Sequence, residues 1–529
     1  MIRQETIKNL KEKKYDLAII GGGITGAGIA LDAALRGLSV ALVEKGDYAS
    51  GTSSKSTKLI HGGLRYLKQF DFALVNEVGT ERAVVHKLAL NLVKAEKMLL
   101  PLYEGGTYSK FLISFGLALY DYLAGVKKPE RRKMISAKEA LSLEPLLKSD
   151  KLKGAGLYYE YRTDDARLTI EILKTAIAHG ADCLNYCEVK DFDYDENAKL
   201  SFLRCLEKES GEEIFIEAEM IVNAAGPWVD NLRLKQEEKK DLKKHLRLTK
   251  GVHLVVDHAR FPLKQSVYFD ENIKGRMLFA IPRGNATYFG TTDTDYDGDL
   301  DDIKVEKDDL DYLLAAINSA FPQLNLIESD LKSSWAGLRP LIAQEGKSPS
   351  ELSRKDEIFI SAEGLISIAG GKLTGYRKMA ERVVDLVFKK LVTKKIKQKY
   401  IASSTRDTAL LSSAFKDESQ INELKTFLRD YFSKHFTDLN YYVNHLFDNY
   451  GLNAYKIIDY FKSLVIERKD LKKEEIFILA ELFYTLDFEY VRNAQDFWER
   501  RTGYLYFSID TVFANSDLVK IELEKRLLV

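Results

Sequence analysis

The chain has 529 residues, 45% hydrophobic and 30% charged, which suits two to four domains of about 100–200 residues and excludes a disordered, collagen-like or coiled-coil architecture. Lys plus Arg and Asp plus Glu each number 79, so a net charge of zero exerts no overall pull toward nucleic acid, and any anion site must come from a local cluster. The three cysteines, Cys183, Cys187 and Cys205, form no C-x-x-C pair and are too few for a disulfide framework, which points to a reducing compartment, the cytoplasmic side of a cell.

The first 14 residues are polar and Lys-rich and contain no apolar signal-peptide core. Tyr15 to Ile20 (YDLAII) predicts a short buried strand. The turn GGGITG follows at Gly21–Gly26, then a helix over Ala27 to Arg36, a stop at Gly37, and a second strand over Leu38 to Val43 that ends at Glu44. Strand, glycine turn, helix and strand within about 30 residues predict a βαβ unit and a parallel sheet. Farther on, Leu254–Val256, Met277–Ile281 and Leu365–Ala369 read as strands among helical stretches. The expected architecture is α/β: residues 1–390 hold a nucleotide-binding domain and a substrate domain interleaved in sequence. Six lysines within 389–399 read as a solvated linker. Residues 391–529 read as an all-α domain, with Ile421, Leu424, Leu428 and Phe432, and again Ile476, Leu479 and Phe483, at helical spacing.

Gly21, Gly23 and Gly26 form G-x-G-x-x-G between a strand and a helix. Gly21 permits the tight turn, Gly23 lets a pyrophosphate approach, and Gly26 lets helix pack on strand. Thr25 sits where the helix amides offer donors and a positive dipole end to phosphates. Glu44, 18 residues past Gly26, is placed to accept the hydroxyls of an adenosine ribose. Two more strand-to-small-residue turns, at Ala225, Gly226 and Trp228 (MIVNAAGPW) and at Gly370, Gly371, Leu373 and Thr374 (GGKLT), tilt the choice from NAD to FAD, because several turns closing on one ligand fit a long dinucleotide. A helix start near Lys372–Thr374 suits the anionic edge of a reduced flavin. Between the first strand pair and the middle of the chain, SGTSSKSTKLIHGGLRYL packs Ser53, Ser54, Thr57, Lys58, His61, Gly62 and Gly63 into one loop. Its hydroxyls and lysines suit a diphosphate and its glycines a flat ring.

Cations recur near these turns: His253 after Lys250 and Gly251, Arg339 in GLRPL, Arg354 in LSRKD, and Lys372. Converging beside a flavin, they would form an anion pocket in which an arginine fork suits a phosphate, a second cation stabilises an alkoxide, and a neutral His accepts a carbinol proton. Taken singly, each reads as a solvated or structural residue. Asp293, Asp295, Asp297 and Gly298 begin like a calcium loop, but Lys304 stands where a bidentate Glu is required, and no metal is expected. Phe111 to Val126 carries apolar residues at helical spacing and runs into Lys127, Lys128, Arg131, Arg132 and Lys133. It is too short to span a bilayer, for which about 20 apolar residues are needed, and reads either as a core helix or as a surface that docks on anionic lipid.

The chain resembles the FAD-dependent glycerol-3-phosphate dehydrogenases and their relatives, the α-glycerophosphate oxidases. The resemblance is carried by IIGGGITG through HGGLRYL, GLALYDYLAG, YEYRTDDARL, NAAGPWVD, TKGVH, GTTDTDY, GLRPL, GGKLTGYRK and, in the helical part, ERRTGYLYF at Glu499–Phe507. It implies a glutathione-reductase-like FAD-binding (Rossmann-type) fold that oxidises glycerol 3-phosphate to dihydroxyacetone phosphate, with hydride passing from C2 to flavin N5. Carried over by motif, Arg65 and Tyr66 belong to the substrate pocket, His253 is the proton acceptor, and Arg339, Arg354 and Lys372 hold phosphate and the reacting oxygen. The segment that often reads alanine-proline-histidine in the family is Ala89, Leu90, Asn91 here, so any role of that histidine is absent. The expected acceptor is a quinone, which suits peripheral attachment to the inner face of the membrane. The alternatives are oxygen as acceptor with hydrogen peroxide as product, an amine or amino-acid oxidase of the same fold, and a non-catalytic binding protein on a flavin fold. A homodimer is left open.

Overall fold

The computed structural model describes residues 2–61, 72–105, 131–197, 199–236, 245–271, 276–343, 356–394, 396 and 399–527. The first βαβ unit forms as its pattern requires: strand Lys14–Ile20, helix Ile24–Leu35, strand Val40–Val43. All six residues of YDLAII are buried because the strand is covered on both faces. Leu17 and Ile19 meet the helices Ile24–Leu35 and Tyr376–Thr393, while Tyr15, Ala18 and Ile20 face Leu10, Leu203 and Ile216. The parallel strands stand in the order Asp182–Leu184, Val40–Val43, Lys14–Ile20, Glu213–Asn223, Ile366–Gly370, and Asp356–Ile360 closes that edge antiparallel.

A second sheet, of ten strands among the described residues, is mostly antiparallel. Its long members Leu246–Asp257 and Leu331–Ile342 pair so that His253 lies opposite Trp335, Gly251 opposite Gly337, and Thr249 opposite Arg339. Segments of both sheets alternate along the chain. The helix Tyr376–Thr393 runs through Lys389 and Lys390 and past residue 390, so the first lysines of the expected linker form its last turn, where positive charge complements the helix dipole. After residue 404 come the helices Glu418–Phe432, Leu439–Tyr450, Ala454–Glu467, Lys473–Glu489 and Ile509–Leu527 around one aromatic-rich core. Cys183, Cys187 and Cys205 are buried and free. No helix among the described residues is long and apolar enough to cross a membrane. The stretch from Phe111 to Lys128 lies outside the described residues.

The helical segment joins the sheets through buried ions. Arg500 and Arg501 both grip Asp47 at 2.6 to 2.8 Å, and Arg167 and Lys174 grip Glu489. Burial alone would raise the Asp47 carboxyl, but Arg501 and Arg500 beside it hold it down to about 2. Burial likewise opposes Glu489 ionisation, and Arg167 and Lys174 bring that carboxyl to about 2. A carboxyl depressed on folding adds stability that is present above its unfolded value, about 4, and is lost as pH falls toward the folded one. Thermal melting followed against pH is therefore expected to hold steady above about pH 5 and to fall between about pH 4 and 2. Arg501→Gln, which leaves the Asp47 charge buried with one partner fewer, is expected to cost about 3–5 kcal/mol at neutral pH and to flatten that acid limb.

Candidate active site

The carboxyl ends of the parallel strands, where ligands bind in open α/β sheets, bring Gly21, Glu44, Ala225 and Gly370 to one cavity of about 740 Å³ roofed by the second sheet. The glycine turn works by close approach. A Cβ on Gly26 would stand 1.9 Å from the Gly21 carbonyl oxygen, so only glycine lets the helix start against the strand end. Gly21, Gly23 and Thr25 line the cavity, and Gly26 lies behind them as the packing residue. Glu44 lines the wall with its carboxylate accepting from the Gly22 amide at 2.7 Å and the Gly46 amide at 2.9 Å. Burial pushes its pKa up against these bonds. Its remaining lone pairs are free in number to take ribose hydroxyls.

The second turn is shaped by Asn223, whose side chain accepts from the Ala225 amide and donates to the Val229 carbonyl. It presents Ala225, Gly226 and Trp228 to the cavity. The Trp228 indole nitrogen is buried with no partner among the described residues, and Lys45 Nζ sits 4.0 Å from the ring centroid. At the third turn Gly370, Gly371, Lys372, Leu373 and Thr374 line the wall, and Thr374 Oγ1 donates to the His61 carbonyl, joining the third turn to the loop after the first.

That loop lies with Thr52, Ser53, Lys55, Ser56, Thr57 and His61 on the wall. Ser53 Oγ accepts from the first helix amide, Ile24 N, at 2.9 Å, and Thr52 Oγ1 donates to the Leu338 carbonyl at 2.7 Å. Two expectations need correction here. Lys58 does not face a diphosphate: its Nζ is buried against Asp165 Oδ1 at 2.6 Å and the Ser54 carbonyl at 3.1 Å. Ser54 is fully buried behind the same loop and does not line the cavity, its hydroxyl turned to the Gly51 carbonyl. Asp165 also takes the Ser56 amide and hydroxyl, so this carboxylate from the TDD segment sets the loop's shape.

Arg339, paired with Thr249 on the facing strand, reaches the cavity across Gly251, two residues along, which has no side chain; a Cβ there would meet the Arg339 guanidinium at 2.5 Å. Its Nη1 donates to the Thr292 carbonyl and to Asp293 Oδ1, and its Nη2 to Thr291 Oγ1. His253 is not on the wall. Its ring is 1% exposed, stacked on Trp335 at 4.8 Å, and its Nε2 lies 3.0 Å from Thr57 Oγ1. Burial first, then the charges of Arg339 and Lys58, push its pKa well below the ordinary value, so the imidazole is neutral at pH 7. Access to it from the cavity runs through the Thr57 hydroxyl. Gly62, Gly63, Arg65, Tyr66 and Arg354 lie outside the described residues. Asn91 stands away from the cavity, bonded to Ser412, Ser413 and the Asp448 carbonyl. Residues not singled out beforehand also line the wall, among them Thr291, Tyr158, Tyr268 and Phe279, and so does Asp293 from the rejected calcium loop. The aromatics come from strands whose alternation marks a buried face but not what that face touches, and Thr291 and Asp293 from the turn between the strands Ala286–Gly290 and Thr294–Asp295. Among the described residues no cluster of His, Cys, Asp and Glu could hold a metal ion.

A profile described as FAD dependent oxidoreductase matches residues 16–377, and one described as the C-terminal domain of alpha-glycerophosphate oxidase matches residues 404–527. The chain is 48% identical over 520 residues to the aerobic glycerol-3-phosphate dehydrogenase of Staphylococcus aureus, covering 98% of this chain and 92% of that one. Its fold matches the glycerol-3-phosphate dehydrogenase of Bacillus halodurans solved with FAD, with a TM-score of 0.82 and 41% identity over 99% of this chain and 94% of the other. The L-alpha-glycerophosphate oxidase of Mycoplasma pneumoniae shares the fold at a TM-score of 0.56 and 17% identity, covering 74% of this chain and 97% of that one.

The three turns, the acid at Glu44 and the Trp228 nitrogen, without a partner among the described residues, fit FAD. Gly26→Ala is expected to weaken FAD binding by at least about tenfold, close to 1.4 kcal/mol, measured as flavin absorbance lost on dialysis. Full flavin retention would show that the turn opens at no cost.

Proposed function

This chain belongs to the family of FAD-dependent glycerol-3-phosphate dehydrogenases, and we propose that it oxidises sn-glycerol 3-phosphate to dihydroxyacetone phosphate and passes the electrons to a quinone. The observation that carries the substrate reading is one stretch of cavity wall. Arg339, Lys372 and Thr57, with His253 bonded behind Thr57, line the same cavity as the Gly370–Gly371 turn. Oxidising a secondary alcohol removes one proton and one hydride. Bound FAD supplies the two-electron acceptor for the hydride. The protein's own groups handle the proton and the charge.

Thr57 is the hydroxyl that meets the substrate, and His253 Nε2 takes the proton through it. For this the imidazole must carry its own proton on Nδ1, which has no partner among the described residues. Burial, and then the two cations Arg339 and Lys58, keep His253 neutral and also keep it a weak base. A phosphate dianion arriving beside Arg339 offsets one of them, so substrate binding itself raises the basicity of His253. Arg339, a planar fork, and Lys372, a compact charge, supply the positive potential that the phosphate and the developing alkoxide need. By motif, Arg65, Tyr66 and Arg354 complete the pocket. Asp293, paired to Arg339 at 3.1 Å, keeps that side chain oriented before the phosphate arrives.

The acceptor reading draws on the aromatic end of the cavity, where Tyr268 and Phe279 stack at 4.4 Å beside Tyr158 and offer a flat apolar face to a ring. A lipid-soluble acceptor places the protein on the membrane surface, with the apolar-then-basic segment from Phe111 to Lys133 as the docking element. Glycerol 3-phosphate supplied in air with a quinone held in anionic vesicles tests both parts. Quinone reduction matching substrate oxidation is expected. Peroxide in that amount instead would assign oxygen as acceptor, and no turnover would leave a binding protein. His253→Asn is expected to lower turnover by about 10²–10⁴-fold with FAD content unchanged; unchanged turnover would move the base elsewhere.

A further inference from the structure

The outer side of the cofactor loop rests on a part of the chain more than 440 residues later in sequence. Asp496–Arg501 forms a π-helical turn, a geometry that is rare and recurs at functional positions. The turn points Glu499 at Lys55 and Arg500 and Arg501 at Asp47. Lys55, itself on the cavity wall between Ser53 and Ser56 of the same loop, sends its Nζ to Glu499 Oε1 and to the Tyr506 hydroxyl, both at 2.5 Å. Glu499 is buried and is held in turn by Gln495 at 2.9 Å and Arg500 at 3.2 Å. Arg500 and Arg501 fasten Asp47, whose carbonyl starts the loop by accepting from the Ser50 amide. Gly503, in the left-handed region at φ 70°, turns the chain so that Tyr506 reaches back. The Tyr506 carbonyl then accepts from Ser333 Oγ at 2.7 Å, on the strand that carries Arg339.

We propose that Glu499 and Tyr506 are positioning residues: acting through Lys55, they hold the loop Ser50–Thr57 in the shape that grips the cofactor, so that the C-terminal helical segment sets how tightly FAD is kept. The proposal rests on the reading of the cavity as the FAD site. A buried carboxylate that loses its charge leaves the Lys55 ammonium buried beside an uncharged partner, and the ammonium must then move toward water. The way to water is the cavity side, through the loop itself.

The test is the rate at which the holoenzyme releases FAD, followed by flavin fluorescence on dilution. Glu499→Gln is expected to release FAD at least about tenfold faster than wild type, and Tyr506→Phe about threefold faster, as suits loss of one hydrogen bond. Lys55→Met combined with Glu499→Gln is expected to release FAD no faster than the more damaging single change, because the two residues act as a unit. Arg468→Gln, which breaks the Arg468–Glu522 pair in the same helical segment, serves as the control. It is expected to lower the melting temperature and leave FAD release alone. Equal release from Glu499→Gln and wild type, or faster release from Arg468→Gln to the same degree, would reduce Glu499 to ordinary stabilisation and overturn the proposal. Should Glu499→Gln fail to fold, Tyr506→Phe decides, with unchanged release counting against it. A wild-type protein that holds no FAD would overturn the reading of the cavity itself, a failure distinct from the others.

Discussion

A helix can begin directly at the end of a parallel strand only where no side chain separates them, and at Gly26 the available gap is smaller than any carbon could occupy. Much of the site follows from that contact. It brings the first amides of the helix Ile24–Leu35 to the carboxyl end of the strand Lys14–Ile20, beside Glu44 from the neighbouring strand and Ala225 from the next. The anion-attracting helix end and the Glu44 carboxylate thereby share one cavity. Glycine costs backbone entropy inside a helix, and the fold accepts that cost where the ligand must be.

Charge at the site is more tightly controlled than the count of basic residues suggests. Lys55, Lys58 and Arg339 each meet a carboxylate, from Glu499, Asp165 and Asp293 respectively. Two of these lysines are consumed as struts that hold a loop. The positive potential on the wall comes from Arg339, Lys372 and the helix starts, while burial first, and then Arg339 and Lys58, keep His253 neutral. On the proposed function, a phosphate dianion in this cavity would strengthen the neutral imidazole as a base, so that binding and proton removal would be coupled through a shared electrostatic field rather than through a moving part.

The helical segment after residue 404 is joined to the cofactor side by buried ion pairs in addition to apolar contact. Asp47 and Glu489 receive arginines across that boundary, and Glu499 sends its charge the other way, to Lys55. Such pairs are costly unless every polar atom is met, and here each carboxylate has two or more partners. The arrangement fixes one relative placement of the two parts, because a small shift would strand several charges away from water.

The sequence by itself determined the elements that local pattern encodes. The βαβ unit, its glycine turn, Glu44 at the strand end, the two later turns and the helical periodicity beyond Ile421 all depend on residues within about 30 positions of one another, where backbone preference and apolar spacing act directly. For His253, Arg339, Arg354 and Lys372 the sequence offered only a conditional anion pocket, and their roles came from the family resemblance. What it could not decide was which polar side chain faces the ligand and which faces a partner. Ser54 and Lys58 look like Ser53 and Lys55 in sequence, yet Lys58 meets Asp165 at a separation of 107 residues and Lys55 meets Glu499 at 444. His253 looked like a wall residue and proved to stand one hydroxyl behind the wall, because Gly290 and Trp335, on strands far along the chain, leave its ring a slot there. Those outcomes belong to tertiary structure for a physical reason: a buried charge or imidazole is oriented by whichever complementary group reaches it across space, and sequence distance carries no record of that group until the sheets are assembled.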